Sequence, residues 1–246
     1  YITNYFKEII MALSDKLIKP GQFLPDRESD TDSRRCEFDI MNDTVIASDT
    51  QVNAVMIGDS IAHFFDNNVH YYKYCCLLNR GIGGDTVNGV NHRFEADVVQ
   101  LRPKVCIILV GVNNTWELEN QKGEDGLFKP EALRATLDEM VAQYEEIYAK
   151  AKAAGIEIWL CSATPMGEGM PSLEARNPMF LQINEEYKKL VKKHGGKYVD
   201  YHSVLVEDDG LTFKNEYSRD GVHPNGAGYR AMATVLAPML EEAFCK

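Results

Sequence analysis

Length, composition and charge already exclude several classes of protein. The chain has 246 residues, enough for one large α/β domain with a full core. Apolar residues make up 45% and charged residues 26%, as in an ordinary soluble globular protein. The net charge of −11 argues against nucleic acid and anionic membranes as partners. No apolar run approaches the roughly 18 residues of a membrane span.

The cysteines predict neither a zinc site nor a redox pair. They stand at positions 36, 75, 76, 106, 161 and 245, and no two have Cys-x-x-Cys spacing. Free thiols favour a reducing compartment, and the charged, amphipathic first residues do not resemble a signal peptide. We therefore expect a cytoplasmic protein. Since no set of metal ligands is evident in the sequence, we expect neither a metal nor another cofactor. A secretion signal ahead of the first residue is the alternative.

The first 50 residues differ from the rest of the chain. Apolar residues recur at helical spacing over 4–18, and a Pro-Gly pair ends that helix. A polar, acidic stretch follows, with short strand-like pieces at 37–41 and 44–47. We expect residues 1–50 to form an appendage packed on the main domain, residues 51–246. Contact with a second copy in a homodimer is the alternative role.

The main domain alternates between strand-like and helical segments. Strands are predicted at 53–57, 76–79, 105–110, 156–162 and 197–200. Helices are predicted at 61–74, 86–100, 130–154, 178–194 and 226–244. Strands that alternate with helices form right-handed βα units and a parallel sheet covered on both faces. The sequence therefore predicts a three-layer α/β/α sandwich.

Four loops carry the unusual residues of this domain. The first strand ends in Gly58-Asp59-Ser60, and the third leads into 111–116. The second leads into the glycine-rich segment 81–86, whose Asp85 can cap the helix predicted at 86–100. The fourth loop, at 220–224, precedes the last helix. Because the carboxyl ends of parallel strands share one edge of a sheet, the first three loops can converge on a ligand there.

Acyl transfer could use residues from these loops. It needs an activated nucleophile and a base held in the right tautomer. Ser60 can supply the nucleophile, His223 the base, and Asp220 can turn back to hold the histidine ring. Each piece has a simpler interpretation by itself, Ser60 as a helix cap and Asp-x-x-His as a surface turn. Their combination in one chain favours catalysis.

The reaction also needs donors aimed at the developing oxyanion. The candidates are the backbone N–H groups of Ser60 and Gly84 and the side chain of Asn113. A glycine lets the backbone approach a substrate closely, and an asparagine amide is a neutral donor. Segment 81–84 lacks the third glycine of a dinucleotide fingerprint, which argues against a nucleotide cofactor.

Candidate substrate-binding residues are Trp116, Asn114 and Met166. Trp116 is suited to stack on a sugar or to close a small acetyl pocket, and a place in the core is its alternative. A long acyl chain would need a dry groove, because each buried CH₂ contributes only about 0.8 kcal/mol. These loops offer no such apolar run. We expect a small-molecule acyl ester as substrate, acetyl above all, on a carbohydrate or similar polar alcohol.

The loop motifs resemble the conserved blocks of the SGNH (GDSL-type) hydrolase superfamily. The similar segments are Gly-Asp-Ser at 58–60, Gly-Gly at 83–84, Gly-Val-Asn-Asn at 111–114 and Asp-Gly-Val-His at 220–223. Within the superfamily, segments 78–86 and 102–114 are most similar to the catalytic subunits of intracellular platelet-activating-factor acetylhydrolase.

The resemblance covers about residues 52–244 and carries several implications. It implies a flavodoxin-like five-stranded parallel sheet and metal-free ester hydrolysis. It assigns Ser60, His223 and Asp220 to a triad, and Ser60, Gly84 and Asn113 to an oxyanion hole. Many superfamily members have aspartate where this chain has Asn114, whereas the acetylhydrolase group also has asparagine.

Two other functions stay open at this point. One is a lipid acyl hydrolase of the lysophospholipase or thioesterase type. The other is a non-catalytic flavodoxin-like module that binds a ligand at Ser60 and the glycine loop. Pure binding would not need the Asp220–His223 pair, which favours an enzyme.

Overall fold

The computed structural model describes residues 30–245, and its centre is a five-stranded parallel sheet. The strands are β1 Ala54–Gly58, β2 Leu77–Gly81, β3 Val105–Leu109, β4 Glu157–Cys161 and β5 Lys197–Val199. Their order across the sheet is β2-β1-β3-β4-β5, and every neighbouring pair is parallel. This is the flavodoxin-like order, so the predicted fold class is confirmed.

Helices cover both faces of the sheet. They are α1 Asp30–Ala47, α2 Ser60–His63, α3 Asn67–Tyr71, α4 Val87–Asp97, α5 Pro130–Ala154, α6 Leu173–His194, α7 His202–Leu205 and α8 Gly226–Phe244. Helices α4, α5 and α6 pack side by side, while α8 packs with α3 and α7. Every residue of β1 and β3 is buried, as expected for central strands between two helical layers.

Helix α1 replaces the strand-like pieces predicted at 37–41 and 44–47, which is a correction. Its packing explains the difference. Phe38 is 1% exposed and lies against the guanidinium of Arg80, 5.0 Å from the ring centroid. Fully buried Asn42 donates to the Ala96 carbonyl and to Asp97 at the end of α4. These tertiary contacts outweigh the weak local preference for strand.

Two other helices differ in their bounds from the prediction. The segment expected as one helix at 61–74 is divided into α2 and α3, because Asp66 caps α3 by accepting from the N–H groups of Asn68 and Val69. Helix α6 begins five residues before the predicted start. Its first turns are fixed by Asn177, whose side chain bonds both backbone groups of Met166.

The remaining expectations about organisation concern residues that the structure does not describe. The helix predicted at 4–18 lies outside the described residues. The boundary at residue 50 and the homodimer therefore stay predictions. Within residues 30–245, none of the helices combines the length and apolarity needed to cross a membrane. Cysteines 75, 76, 106, 161 and 245 are free thiols.

We expect Phe38→Ala to lower the free energy of unfolding by about 3–5 kcal/mol, because it leaves a cavity between α1 and the edge strand β2. The matched control is Ile40→Ala on the same helix. Ile40 is 73% exposed, so its loss should change the free energy by less than about 0.5 kcal/mol. Urea unfolding of both variants tests this. Equal stability of the two variants would contradict the packing of α1.

Candidate active site

Ser60 lies where β1 gives way to α2. Gly58 permits this turn, because a Cβ there would stand 1.8 Å from the Leu109 carbonyl oxygen of the adjacent strand. Asp59 caps α2, its carboxylate accepting from the Ile61 N–H at 2.9 Å. Ser60 is therefore the first residue of a helix at the carboxyl edge of the sheet. Its side chain is partly exposed.

The structure brings His223 and Asp220 to Ser60 from the loop that precedes α8. His223 Nε2 lies 2.8 Å from Ser60 Oγ, and His223 Nδ1 lies 2.8 Å from Asp220 Oδ2. Because a carboxylate only accepts, Nδ1 must carry the proton and Nε2 must accept from the serine hydroxyl. The three side chains thus form one continuous line of hydrogen bonds.

Asp220 also shapes the loop that carries the histidine. Its Oδ1 accepts from the backbone N–H groups of Val222 and His223, at 3.0 and 2.8 Å. Burial acts to raise the pKa of this carboxyl, but the hydrogen bonds from His223 and Val222 outweigh it and lower the pKa to about 2. Asp220 therefore stays ionised at any pH at which the histidine could act as a base.

The glycine-rich loop follows β2 and lies beside the serine. Gly84 has φ +82°, a left-handed conformation that disfavours other residues, and a Cβ there would meet no atom within 4 Å. Thr86, not the predicted Asp85, caps α4 by accepting from the Gly89 N–H. That part of the prediction is wrong because the Asp85 side chain turns inward to Arg93.

Arg93 is fully buried beneath the loops. It pairs with Asp85 and Asp97, with N···O distances of 2.8 and 2.9 Å. It also donates to the carbonyls of Arg80 and Gly58, at 2.7 and 3.1 Å. The ends of β1 and β2 and the glycine loop are therefore fixed to one guanidinium.

Asn113 lies in the loop after β3, beside the glycine-rich loop. Its Nδ2 donates to the Asp85 carbonyl at 2.9 Å, and its Oδ1 accepts from the Trp116 indole N–H at 3.0 Å. The amide nitrogen has a second hydrogen that neither contact uses. Asn113 and Gly84 together line a cavity of about 470 Å³.

The predicted substrate-binding residues fall into two groups. Trp116 and Asn114 line the same cavity as Asn113 and Gly84. The Asn114 side-chain oxygen accepts from the Val87 N–H at 3.1 Å, so it also supports the start of α4. Met166, by contrast, is fully buried, and the structure does not bring its side chain to this surface.

Phe64 borders His223 and Arg219 borders Phe64, although no sequence motif indicated either residue. The Phe64 ring, 47% exposed, lies edge-on to the His223 ring with centroids 5.6 Å apart. The Arg219 guanidinium lies 5.3 Å from the Phe64 centroid. Phe64 follows Ser60 by four residues, and that helical spacing was a signal that could have placed it beside the serine.

Asp59 is a buried acid directly before the nucleophile candidate. Burial raises the pKa of its carboxyl to about 7, and the hydrogen bonds from the N–H groups of Ile61, Gly111 and Ala62 offset only part of that rise. The charge of Asp85 nearby acts in the same direction as burial. Asp59 is therefore an acid whose protonation changes near neutral pH.

Residues 56–231 match the profile of the GDSL-like lipase/acylhydrolase family. The chain belongs to this family. Membership confirms the predicted superfamily and the prediction that the chain is a carboxylic ester hydrolase. Within residues 30–245, no group of three or more histidine, cysteine, aspartate or glutamate residues is arranged to hold a metal ion.

The GDSL domain is similar to two acetylxylan esterases. The one from Xylanibacter ruminicola is 25% identical over 158 residues, which span 62% of this chain and 32% of that protein. The one from Geobacillus stearothermophilus is 26% identical over 157 residues, which span 64% of this chain and 68% of that protein. The match thus covers about a third of the Xylanibacter protein.

Solved structures share the fold of this GDSL domain. A Streptococcus pneumonia protein provisionally described as a platelet activating factor superposes with a TM-score of 0.70 at 20% identity, over 95% of this chain and 99% of that one. The Geobacillus stearothermophilus acetylxylan esterase gives a TM-score of 0.58 at 20% identity, over 77% and 94%.

We expect Asp59→Asn to change how the stability of the GDSL domain depends on pH. The wild-type carboxyl keeps its proton up to about pH 7 when folded but loses it near pH 4 when unfolded. The folded state therefore binds more protons in this window, and its free energy of unfolding falls as pH rises from 4 to 7. The asparagine variant lacks this loss. As pH rises from 4 to 7, the free energy of unfolding of the variant should therefore increase relative to that of wild type by up to about 1.4 kcal/mol per pH unit.

Urea unfolding at several pH values between 4 and 7 measures this difference. Asp208→Asn, at an exposed aspartate, is the control and should follow the wild-type pH dependence. Parallel curves for wild type and Asp59→Asn would contradict a raised pKa at Asp59.

Proposed function

We propose that this chain hydrolyses short-chain acyl esters, above all acetyl esters, of a carbohydrate or similar neutral polar alcohol. Ser60 is the nucleophile, His223 the general base, and Asp220 the group that orients the histidine. The backbone N–H groups of Ser60 and Gly84 and the side chain of Asn113 form the oxyanion hole.

The observation that carries this proposal is the unbroken line of hydrogen bonds from Asp220 through His223 to Ser60. Both of its distances are 2.8 Å, within reach for proton transfer. The same residue types are found in a relative. Catalytic variants of the Geobacillus stearothermophilus esterase change a serine, an aspartate and a histidine, the last two three positions apart. Asp220 and His223 have this spacing.

The first half of the reaction forms an acyl-enzyme. Ser60 Oγ attacks the ester carbonyl carbon while its proton passes to His223 Nε2. The carbonyl oxygen takes up the electron pair of the broken π bond and becomes an oxyanion, which the three donors stabilise. When the tetrahedral intermediate collapses, the bond to the alcohol oxygen breaks, and His223 gives that oxygen its proton.

The second half releases the acid by the same groups. A water molecule attacks the acyl carbon and its proton passes to His223 Nε2. Collapse of the second intermediate breaks the bond to Ser60 Oγ, which recovers the proton from the histidine. Ionised Asp220 stabilises the imidazolium in both halves. The reaction consumes one water and yields one acid and one alcohol.

The cavity beside the oxyanion donors supports a neutral, hydroxyl-rich alcohol. Its volume of about 470 Å³ falls in the usual range of small-molecule sites, roughly 300–1,000 Å³. Side chains with amide, carboxylate and hydroxyl groups dominate its walls: Asn88, Asn114, Glu117, Gln121, Thr136 and Glu139. Among the described residues, no lysine or arginine lines it, and Trp116 is its one aromatic ring. Such walls suit sugar hydroxyls and disfavour both acyl chains and anionic groups.

We expect Ser60→Ala to abolish ester turnover while leaving the fold intact, because it removes only the attacking oxygen. Hydrolysis of p-nitrophenyl acetate and thermal unfolding measure the two effects. Ser203→Ala, at another serine in the first turn of a short helix, is the matched control and should keep full activity. An organophosphonate should label wild type at Ser60, as found by mass spectrometry. Turnover near the wild-type rate in Ser60→Ala would refute the proposed nucleophile.

The identity of the substrate is tested separately. Across p-nitrophenyl esters, kcat/KM should be highest at two to four acyl carbons and fall at eight, because the polar cavity gives a longer chain no apolar surface to cover. Glu117→Ala, in the cavity wall, should raise KM for an acetylated xylo-oligosaccharide and leave p-nitrophenyl acetate unaffected. Glu124→Ala, at an exposed glutamate outside the cavity, is its control. A maximum at long chains would favour the lipid acyl hydrolase instead.

A further inference from the structure

We propose that Trp116 is a positioning residue that keeps the Asn113 amide turned with its nitrogen toward the reacting carbonyl. This inference rests on the proposed function, because it concerns the oxyanion hole of that reaction. It gives Trp116 a role different from that of a wall for the substrate, which the sequence had suggested.

An asparagine amide can take two orientations that exchange its oxygen and its nitrogen. Only one of them presents an N–H to an oxyanion; the other presents an oxygen, which would repel it. An amide that populates both orientations would therefore be a poor donor for part of the time. Some contact must decide between the two.

Two neighbours of Asn113 favour the same orientation. The Trp116 indole N–H is only a donor, so it requires Oδ1, which lies 3.0 Å away. The Asp85 backbone carbonyl is only an acceptor, so it requires Nδ2, which lies 2.9 Å away. Rotating the amide by half a turn would set donor against donor and acceptor against acceptor. Both hydrogen bonds would be lost together.

Arg176 packs against one face of the Trp116 ring and holds it in place. The guanidinium of Arg176 lies 4.5 Å from the indole centroid, within the range of a cation–π contact. Arg176 is fully buried, donates to the Thr115 carbonyl at 2.7 Å and pairs with Glu119. The indole therefore has a fixed partner on its face and a fixed partner for its N–H. This rigidity is what a positioning residue requires.

The test removes the indole N–H and keeps an aromatic ring over Arg176. We expect Trp116→Phe to lower kcat about 3- to 10-fold, the equivalent of one hydrogen bond, while KM stays unchanged. Asn113→Ala should lower kcat about 100- to 1,000-fold, as expected for removing one oxyanion donor. If Trp116 acts through Asn113, adding Trp116→Phe to Asn113→Ala should cause no further loss.

Trp159→Phe is the matched control. It deletes the other indole N–H of the chain, which bonds Glu157 of β4 and not one of the proposed oxyanion donors. Its kcat should equal that of wild type. If Trp116→Phe does not fold, replacing Trp116 by 3-benzothienylalanine removes the N–H with almost no change of shape, and the same fall in kcat is expected.

Two outcomes would overturn the inference. One is a full wild-type kcat in the folded Trp116 variants. The other is an equal fall in kcat in the presence and absence of the Asn113 side chain, which would make Trp116 a direct substrate contact. Both are distinct from failure of the proposed function, which would show as turnover in Ser60→Ala.

Discussion

The buried guanidinium of Arg93 is the constraint on which the arrangement of the site depends. A charge without solvent must be fully paired, so its partners have little freedom to move. Three of those partners lie near the site: the carbonyl of Gly58 at the end of β1, the carbonyl of Arg80 in β2 and the carboxylate of Asp85 in the glycine loop. Ser60 lies two residues after Gly58, and Gly84 lies directly before Asp85. One side chain thus sets the distance between the loop with Ser60 and the loop with Gly84, the proposed oxyanion donor.

Neighbouring residues in the site also select one state for side chains that could adopt two. A histidine has two tautomers and an asparagine amide has two orientations. In each case the deciding neighbour can only donate or only accept. The Asp220 carboxylate fixes the tautomer of His223, and the Trp116 indole fixes the orientation of Asn113. Such preorganisation matters in catalysis because donors aimed in advance need no reorientation when charge develops.

The sequence was informative where pattern and local chemistry agreed. Continuous apolar runs located the central strands β1 and β3, and Pro130 and Gly155 marked both ends of α5. The order of the loops was enough to predict that Ser60, Gly84 and Asn113 lie at one edge of the sheet.

The sequence was not informative where contacts between residues distant in the chain determine the structure. Helix α1 forms because its buried face meets α4, and no local signal shows that Asp85 pairs inward with Arg93 rather than capping a helix. Met166 belongs to a loop whose composition suggested a pocket, but its side chain is buried in the core.

The edge strand β2 has a consequence for association between molecules. Three of its backbone polar groups are bonded by side chains rather than by another strand. The Asn79 carbonyl accepts from Arg80, the Gly81 N–H donates to the Asn79 side chain, and the Gly81 carbonyl accepts from Arg34 of α1. An incoming strand would find these groups occupied. At the other edge β5 is only three residues long. The sheet is thereby protected at both sides from growing by strand addition, the route that leads open sheets to aggregate.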